Sequence, residues 1–357
     1  MGRRLSTRSP RLMYRHRRLI GWAMRCRTGS IPMPSDEVRP QAIRIELTYP
    51  LDLPTSLDEG QAFGWTAPDA ETDGWWIGIV YGHAVRIRHV DAKADNPGVI
   101  EVSAHDPDLP NDSTAEMVTR YLRLDDDYTR IRQALSEDPV LAEIMGRWPG
   151  LTLLRQEPWE CLASFIISAQ CHLPRIKRNM QNLAEVCGVS GTAWEETVYR
   201  VPDPVAVARL GEAQLRRIGL GFRAPFLDSA AIRIAEGAVE LGELRTLPYE
   251  DAKNVLLTFK GIGPKIADCI LAFSLDHTEA FAVDRWVSRA VTRLYLTGKK
   301  TPEDKIAAWG REHFGSYAAY AQQLLFQEER EVAMRERALP GSIMIRQRRQ
   351  NRAPSIA

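Results

Sequence analysis

A lysine amine and an aspartate carboxylate, Lys265 and Asp284, stand nineteen residues apart on either side of a helical stretch. Lys265 closes the glycine turn Phe259-Lys260-Gly261-Ile262-Gly263-Pro264-Lys265, and Phe281-Ala282-Val283-Asp284 supplies the acid. A neutral lysine amine is a nucleophile, and a carboxylate stabilises developing positive charge or takes a proton. Apolar Ala252, Val255, Leu256 and Phe259 before the turn, and Ile266, Ala267, Ile270 and Leu271 after it, recur at helical spacing. The spacing predicts a helix, a hairpin and a helix over residues 249–275. Gly261 and Gly263 permit the tight backbone, and Pro264 suits the first turn of the second helix. Free N–H donors and the positive dipole end at that point attract phosphate. The simpler alternative is an ordinary turn with an exposed lysine. A hairpin of this kind by itself implies DNA contact and not chemistry.

The chain's 357 residues allow two or three domains with a substantial core. No apolar run reaches membrane-spanning length, and Leu19 to Met24 is too short for a secretory core, so no membrane partner is expected. Five cysteines, Cys26, Cys161, Cys171, Cys187 and Cys269, are widely spread without a Cys-x-x-Cys pair, which argues for reduced thiols. No cysteine follows Asp284, where lyases of the endonuclease III type carry an iron–sulfur loop, so no such cluster is expected. The seven histidines form no ligand pair, so no metal is expected either, and His172 and His277 read as a surface or satisfied core residue. Hairpins of this kind can hold a monovalent cation on their carbonyls.

Net charge is +1, yet residues 1–35 hold nine arginines and no acid, and 331–357 hold six arginines against two glutamates. Residues 51–148 carry nineteen acids against eight bases, while 149–330 balance at twenty-two of each. A nucleic-acid face must then be a local cluster on the second half. The N-terminal run reads as disordered and is open between a basic arm on DNA, a transit-like peptide and translation from an upstream start, since Met24 and Met33 follow. Location follows the cell: cytoplasm and nucleoid in a prokaryote, nucleus or mitochondrion in a eukaryote.

The elements that must position the lysine and the aspartate read as α+β: a small mixed sheet-and-helix domain followed by an all-helical one. Ile43, Ile45, Leu47 and Tyr49 alternate as a half-buried strand, Trp75 to Tyr81 and Ala84 to Val90 flank Gly82-His83 as a hairpin, and Val99 to Ser103 alternates again. Thr114 to Arg123 and Asp127 to Leu135 turn helical, and the domain closes near Trp148-Pro149-Gly150. A helix over Pro158 to Cys171 is stopped by Pro174, and another ends at Gly188. Asp203-Pro204 and Thr301-Pro302 open further helices, Gly219 and Gly221 bracket a turn, and Ser316 to Glu331 makes the last helix. The organisation expected is a basic segment 1–41, a mixed domain 42–150, a helical domain 151–330 and a basic tail 331–357.

Over roughly residues 42–330 the chain resembles the 8-oxoguanine DNA glycosylases of the helix-hairpin-helix superfamily, whose first domain resembles the TATA-binding protein. The motifs are Ser56-Leu57-Asp58-Glu59-Gly60-Gln61-Ala62-Phe63-Gly64-Trp65, Leu154-Arg155-Gln156-Glu157-Pro158-Trp159-Glu160-Cys161, Ile218-Gly219-Leu220-Gly221-Phe222-Arg223-Ala224 and the hairpin. The resemblance implies base excision with strand cleavage on damaged duplex DNA, most simply at 8-oxoguanine opposite cytosine, by a monomer. The alternatives are a glycosylase for another lesion such as alkylated purine and a non-catalytic binder of DNA structure. Alkylation-repair relatives lack the lysine.

By the same resemblance Lys265 is the nucleophile and Asp284 the carboxylate, whose plainer role is to cap the helix from Arg285. Cys269 and Phe326 flank the flipped base, Gln322 meets its Watson–Crick edge, and the Gly60 carbonyl accepts the N7–H that 8-oxoguanine has and guanine lacks. Gln170, Arg175 and Arg223 meet the opposite strand with Phe222 as a wedge, and Gly261, Gly263 and Trp286 meet phosphates. The plainer roles are a surface arginine for Arg175 and Arg223, a core aromatic for Phe222 and Phe326, and a turn for Gly60. Gln170 stands where the family has asparagine, Trp286 where it has histidine, and Cys171-His172 also depart from its pattern. These departures touch strand contacts and leave Lys265 and Asp284 in place.

Overall fold

The computed structural model describes residues 42–69, 72–90 and 97–338, so the Arg-rich segment 1–41 and the end of the tail lie outside the described residues. Alternating apolar residues build β1 (Ile43–Glu46), β2 (Trp76–Val80), β3 (His83–Val90) and β4 (Val99–Ala104), with a short helix α1 (Leu53–Leu57) after β1. They pair antiparallel in the order β1-β4-β3-β2, with Val85 of β3 opposite Gly78 on one side and Ala104 on the other. One sheet face buries Val85, Ile87, Ile100 and Val102 against Met117, Val118 and Tyr121 of α2 (Asn111–Tyr121). The β2–β3 turn is Tyr81-Gly82, one residue earlier than read from sequence: both have positive φ, +46° and +86°, and His83 pairs with Val80. Positive φ at both positions matches the right-handed twist of the flanking strands.

Two short helices follow, α3 (Tyr128–Leu135) and α4 (Pro139–Arg147), then α5 (Pro158–Ser168) and α6 (Leu173–Val186). Asp138 caps α4 by accepting from Leu141 N at 2.9 Å, the same Asp-Pro signal that opens α7 (Pro204–Arg217), yet the sequence reading left α4 unassigned. Although read with the first domain, α3 and α4 bury Ile131, Leu135, Leu141 and Ile144 in the helical core. The helix from Pro158 stops at Ser168, and Pro174 does not stop it: the proline sits in the first turn of α6 behind the His172 cap, where its missing N–H costs nothing.

A small hairpin, β5 (Ser190–Ala193) with β6 (Glu196–Tyr199), interrupts the region expected to be wholly helical. Its Ala193 and Val198 cover Ile77 and Ile79, which is why β2 is buried at every position. After α8 (Ala224–Ala235) come the hairpin helices α9 (Tyr249–Leu257) and α10 (Pro264–Ser274), then α11 (Arg285–Leu294) and α12 (Glu303–Phe314). Thr301 does not cap α12; Pro302 holds that position and the Thr301 hydroxyl donates to Lys299 O. The last helix, α13, runs Ala318–Ala338, past the boundary read at 330. Among the described residues no helix is long and apolar enough to cross a membrane.

Buried polar side chains join the sheet to the helices. Gln61 donates to Thr152 O at 2.8 Å and accepts from Leu154 N at 3.0 Å, while its own carbonyl accepts from the Gln156 amide at 2.8 Å. The buried Arg123 donates to Leu154 O and, at 3.2 Å, to Ala272 O of α10. Arg155 pairs with Asp125, Asp126 and Asp276 at 2.7–3.0 Å. Burial acts to raise the Asp276 carboxyl, but the guanidiniums of Arg123 and Arg155 outweigh it and hold the pKa below the ordinary value.

Substituting Gln61→Leu would strand the Thr152 carbonyl and the Leu154 amide in the interior. The expected loss is about 2–4 kcal/mol, read as a lower denaturation midpoint at unchanged m. An unaltered midpoint would mean that water or a neighbour satisfies both groups.

Candidate active site

The turn between α9 and α10 has the shape its glycines suggested, but it requires one of them rather than two. Gly261 has φ +85°, and a Cβ there would lie 2.5 Å from the Phe226 ring, so both the backbone and the packing demand glycine. Gly263 caps α10 at φ −95° and ψ 178°, extended backbone open to any residue, and a Cβ there would meet nothing within 4 Å. What Gly263 leaves open is the approach to the first-turn N–H groups, since no side chain caps them. Beneath the turn Asp268 accepts from the Tyr249 hydroxyl at 2.7 Å and from Lys253 at 2.9 Å, locking α9 to α10.

Lys265 sits in the first turn of α10 and points its amine inward, 5.2 Å from the centre of the Phe165 ring of α5 and within hydrogen-bond reach of the Cys269 thiol one turn on. Burial, the largest influence, lowers the lysine pKa, while the Cys269 thiolate and the Asp284 carboxylate raise it, and with Cys269 ionised they prevail. Burial also pushes Cys269 up to about 11, so near neutral pH the thiol keeps its proton and Lys265 loses that counter-charge. The amine is then poised between desolvation, which favours the free base, and Asp284, which favours the ammonium. Asp284 does cap α11: its Oδ1 accepts from Trp286 N at 2.8 Å and Val287 N at 2.9 Å, and Oδ2 takes no part in the cap. The cap fixes the carboxylate at the α11 N-terminus beside the lysine.

Above this pair the segment around Gly60 meets α13. Gly60 has φ +97°, and a Cβ there would come 3.6 Å from Cζ of Phe326, so the glycine brings its backbone against that ring. Gln322 lies one turn before Phe326, is 4% exposed, and its Oε1 has no hydrogen-bond partner among the described residues. An unpaired buried amide oxygen is costly unless a ligand or water meets it. Phe326 is half-buried and Cys269 buried.

The residues named for the opposite strand gather on the α5–α6 loop and the α7–α8 turn. Gln170 is exposed at φ +50°, and Arg175 is exposed at the start of α6. Arg223 differs from the surface arginine of the plainer reading: it is 3% exposed and donates to Ala169 O at 2.7 Å and Gln170 O at 3.0 Å. It therefore ties the two loops together. Phe222 is 46% exposed, with the Arg223 guanidinium 4.4 Å from its ring centre, so it is not a core aromatic. Trp286 is half-buried between the guanidiniums of Arg285 and Arg289. His277 is a satisfied core residue, bonded to Leu244 O at 3.0 Å, and His172 is an exposed cap. Among the described residues no three His, Cys, Asp or Glu side chains gather as metal ligands.

Residues 43–162 match the family described as 8-oxoguanine DNA glycosylase, N-terminal domain, and residues 163–312 match the HhH-GPD superfamily of base excision DNA repair proteins. The apo structure of the 8-oxoguanine glycosylase/lyase of Clostridium acetobutylicum superposes with a TM-score of 0.73 at 30% identity, over 81% of this chain and 96% of that one. This chain belongs to the 8-oxoguanine DNA glycosylase family. The same Clostridium protein in complex with double-stranded DNA containing cytosine opposite 8-oxoguanine gives a TM-score of 0.74, over 83% of this chain and 97% of that one. The N-glycosylase/DNA lyase of Arabidopsis thaliana is 29% identical over 294 residues, 79% of this chain and 77% of that protein.

The sequence reading of this family member missed several contributors. Phe165 and Cys161, on the face of α5 turned to Lys265, were visible only as apolar helix positions. Arg285, Arg289 and Arg293 recur every four residues along α11, a stripe beside Asp284 that its spacing could have revealed.

The glycosylase should tolerate Gly263→Ala and not Gly261→Ala. The latter is expected to lower stability by about 1–3 kcal/mol and to weaken duplex binding, as thermal melts and a binding titration would read. Equal behaviour of the two variants would remove the steric account of the turn.

Proposed function

We propose that this enzyme excises 8-oxoguanine paired with cytosine and then cleaves the DNA strand, acting as a monomer on damaged duplex. The observation that carries the reading is one inward-facing amine, Lys265, set in the first turn of the hairpin helix beside Cys269 and the Asp284 carboxylate. Glycosylase and lyase activity fit the family and the similarity to the N-glycosylase/DNA lyase of Methanothermobacter thermautotrophicus, described as probable and 29% identical over 226 residues.

The hairpin N–H groups and the α10 dipole take a phosphate, and the target nucleotide leaves the stack. Neutral Lys265 attacks C1′. The C1′–N bond breaks with its electrons leaving on the base, which takes up a proton, and the amine loses its own. Asp284 stabilises the positive charge that builds on the sugar. The C1′–O4′ bond then opens, its electrons leaving on O4′, which takes up a proton, and the imine that forms at C1′ makes the C2′ proton acidic; loss of that proton expels the 3′ phosphate by β-elimination. The Gly60 carbonyl accepts from N7–H, Phe326 and Cys269 cover the two faces of the base, and the unpaired Gln322 oxygen accepts from its Watson–Crick edge. Guanine offers an acceptor at N7 opposite the Gly60 acceptor, and the mismatch disfavours it. Phe222 fills the gap, while Gln170 and Arg175 meet the orphaned cytosine from a loop that Arg223 braces. The alkylated-purine alternative leaves Lys265 without a task, and a non-catalytic binder leaves Lys265 without one and Asp284 with its cap alone.

Lys265→Gln is expected to abolish borohydride trapping on 8-oxoguanine duplex while binding persists; retained trapping would assign the nucleophile to another amine. Asp284→Asn keeps a capping oxygen, so the fold should hold while single-turnover base release slows by about 10²–10³-fold. A rate within a factor of two of the wild type would deny Asp284 its electrostatic role.

A further inference from the structure

The segment presenting Gly60 has no regular structure of its own, and side chains from two different helices set its position. On one side Glu59 pairs with Arg330 of α13, whose guanidinium lies 5.3 Å from the Phe326 ring centre. On the other side the ammonium of Lys177, on α6, donates to Asp58 Oδ1 at 2.6 Å and to the Trp65 carbonyl at 3.0 Å. One charge thus clips both ends of the loop that carries Gly60 and Gln61. Trp65 is itself buried and anchored, its indole donating to the Tyr121 hydroxyl at 3.0 Å.

Lys177 stands two residues beyond Arg175, on a helix whose core face is Ile176, Met180 and Leu183. Arg175 and Lys177 share the N-terminal part of α6, so any displacement of that end would carry both, and the ion pair would pass it to Asp58, two residues before Gly60. We propose that Lys177 is a positioning residue that makes recognition of the lesion at Gly60 depend on the base read on the other strand. The inference rests on the reading above, in which Gly60 meets the lesion and Arg175 the opposite base. The pair is semi-exposed, with side-chain exposures of 28% and 29%, so its coupling is modest and shows best as a ratio of rates.

The test is single-turnover base release from 8-oxoguanine opposite cytosine and opposite adenine, with β-elimination at an abasic site opposite cytosine alongside. Lys177→Met and the isosteric Asp58→Asn are each expected to shrink the cytosine-over-adenine preference by roughly three- to fivefold. Abasic-site cleavage, which places no base at Gly60, should stay at the wild-type rate. Lys177→Arg, and Lys177→Asp combined with Asp58→Lys, should recover part of the preference. An unchanged preference in both single variants overturns the proposal whether or not absolute rates fall, because Lys177 then only holds the loop. A wild-type enzyme that releases no 8-oxoguanine from either duplex removes the proposed function itself, and this inference with it.

Discussion

The fold depends on a buried exchange of hydrogen bonds between irregular backbone and three long polar side chains, Gln61, Arg123 and Gln156. The segments around Gly60 and around Leu153 to Gln156 pass between the sheet and the helices, where water does not reach and no ladder satisfies their amides and carbonyls. Each unpaired group there would cost of order 1–3 kcal/mol, so the side chains that reach them decide whether the two layers dock at all. The same contacts place Gly60. Gln61 is the residue after Gly60, and Gln156 continues through its own N–H to Phe273 O of α10, the helix that carries Lys265 in its first turn. The Gly60 segment and the Lys265 helix are therefore two ends of one buried polar joint.

Around that joint the chemistry is built from opposed influences. Desolvation by burial favours a neutral amine at Lys265, and Asp284 favours the ammonium. A carboxylate free to approach the lysine would lock it as an ion pair. The α11 cap holds the Asp284 Oδ1 on two backbone amides, which limits that approach. The charge stabilisation proposed for Asp284 is compatible with its cap, which leaves Oδ2 unused.

Strand contact needs no global positive field. The balanced charge of the second half is spent locally: Arg223 on the carbonyls that shape the Gln170 loop, Lys177 on the Gly60 loop, and Arg289 with Arg293 on buried Glu329. Several of the cations are thus framework, and fewer are left to grip phosphate. That division could not be read from charge counts.

The hairpin, the Asp-Pro and Gly helix boundaries and the alternation of the first sheet were legible because they rest on local rules of backbone conformation and periodicity. Misreadings arose where a local signal had two meanings: Pro174 ends one helix or begins the next, and Ser190 to Tyr199 is too short and polar to announce a hairpin that exists to cover Ile77 and Ile79. By itself the sequence determined the family and the α+β class and singled out Lys265 and Asp284 as the candidate pair for chemistry, since motif order and spacing are properties of the chain. Only the tertiary structure decided that Gly261 and not Gly263 is sterically required in the hairpin, that Arg223 is buried as a brace and Phe222 exposed, that Gln322 keeps an unpaired oxygen, and that Lys177 reaches Asp58. Those outcomes depend on contacts between residues tens to hundreds of positions apart. Burial and hydrogen-bond competition across such distances are settled when the layers close.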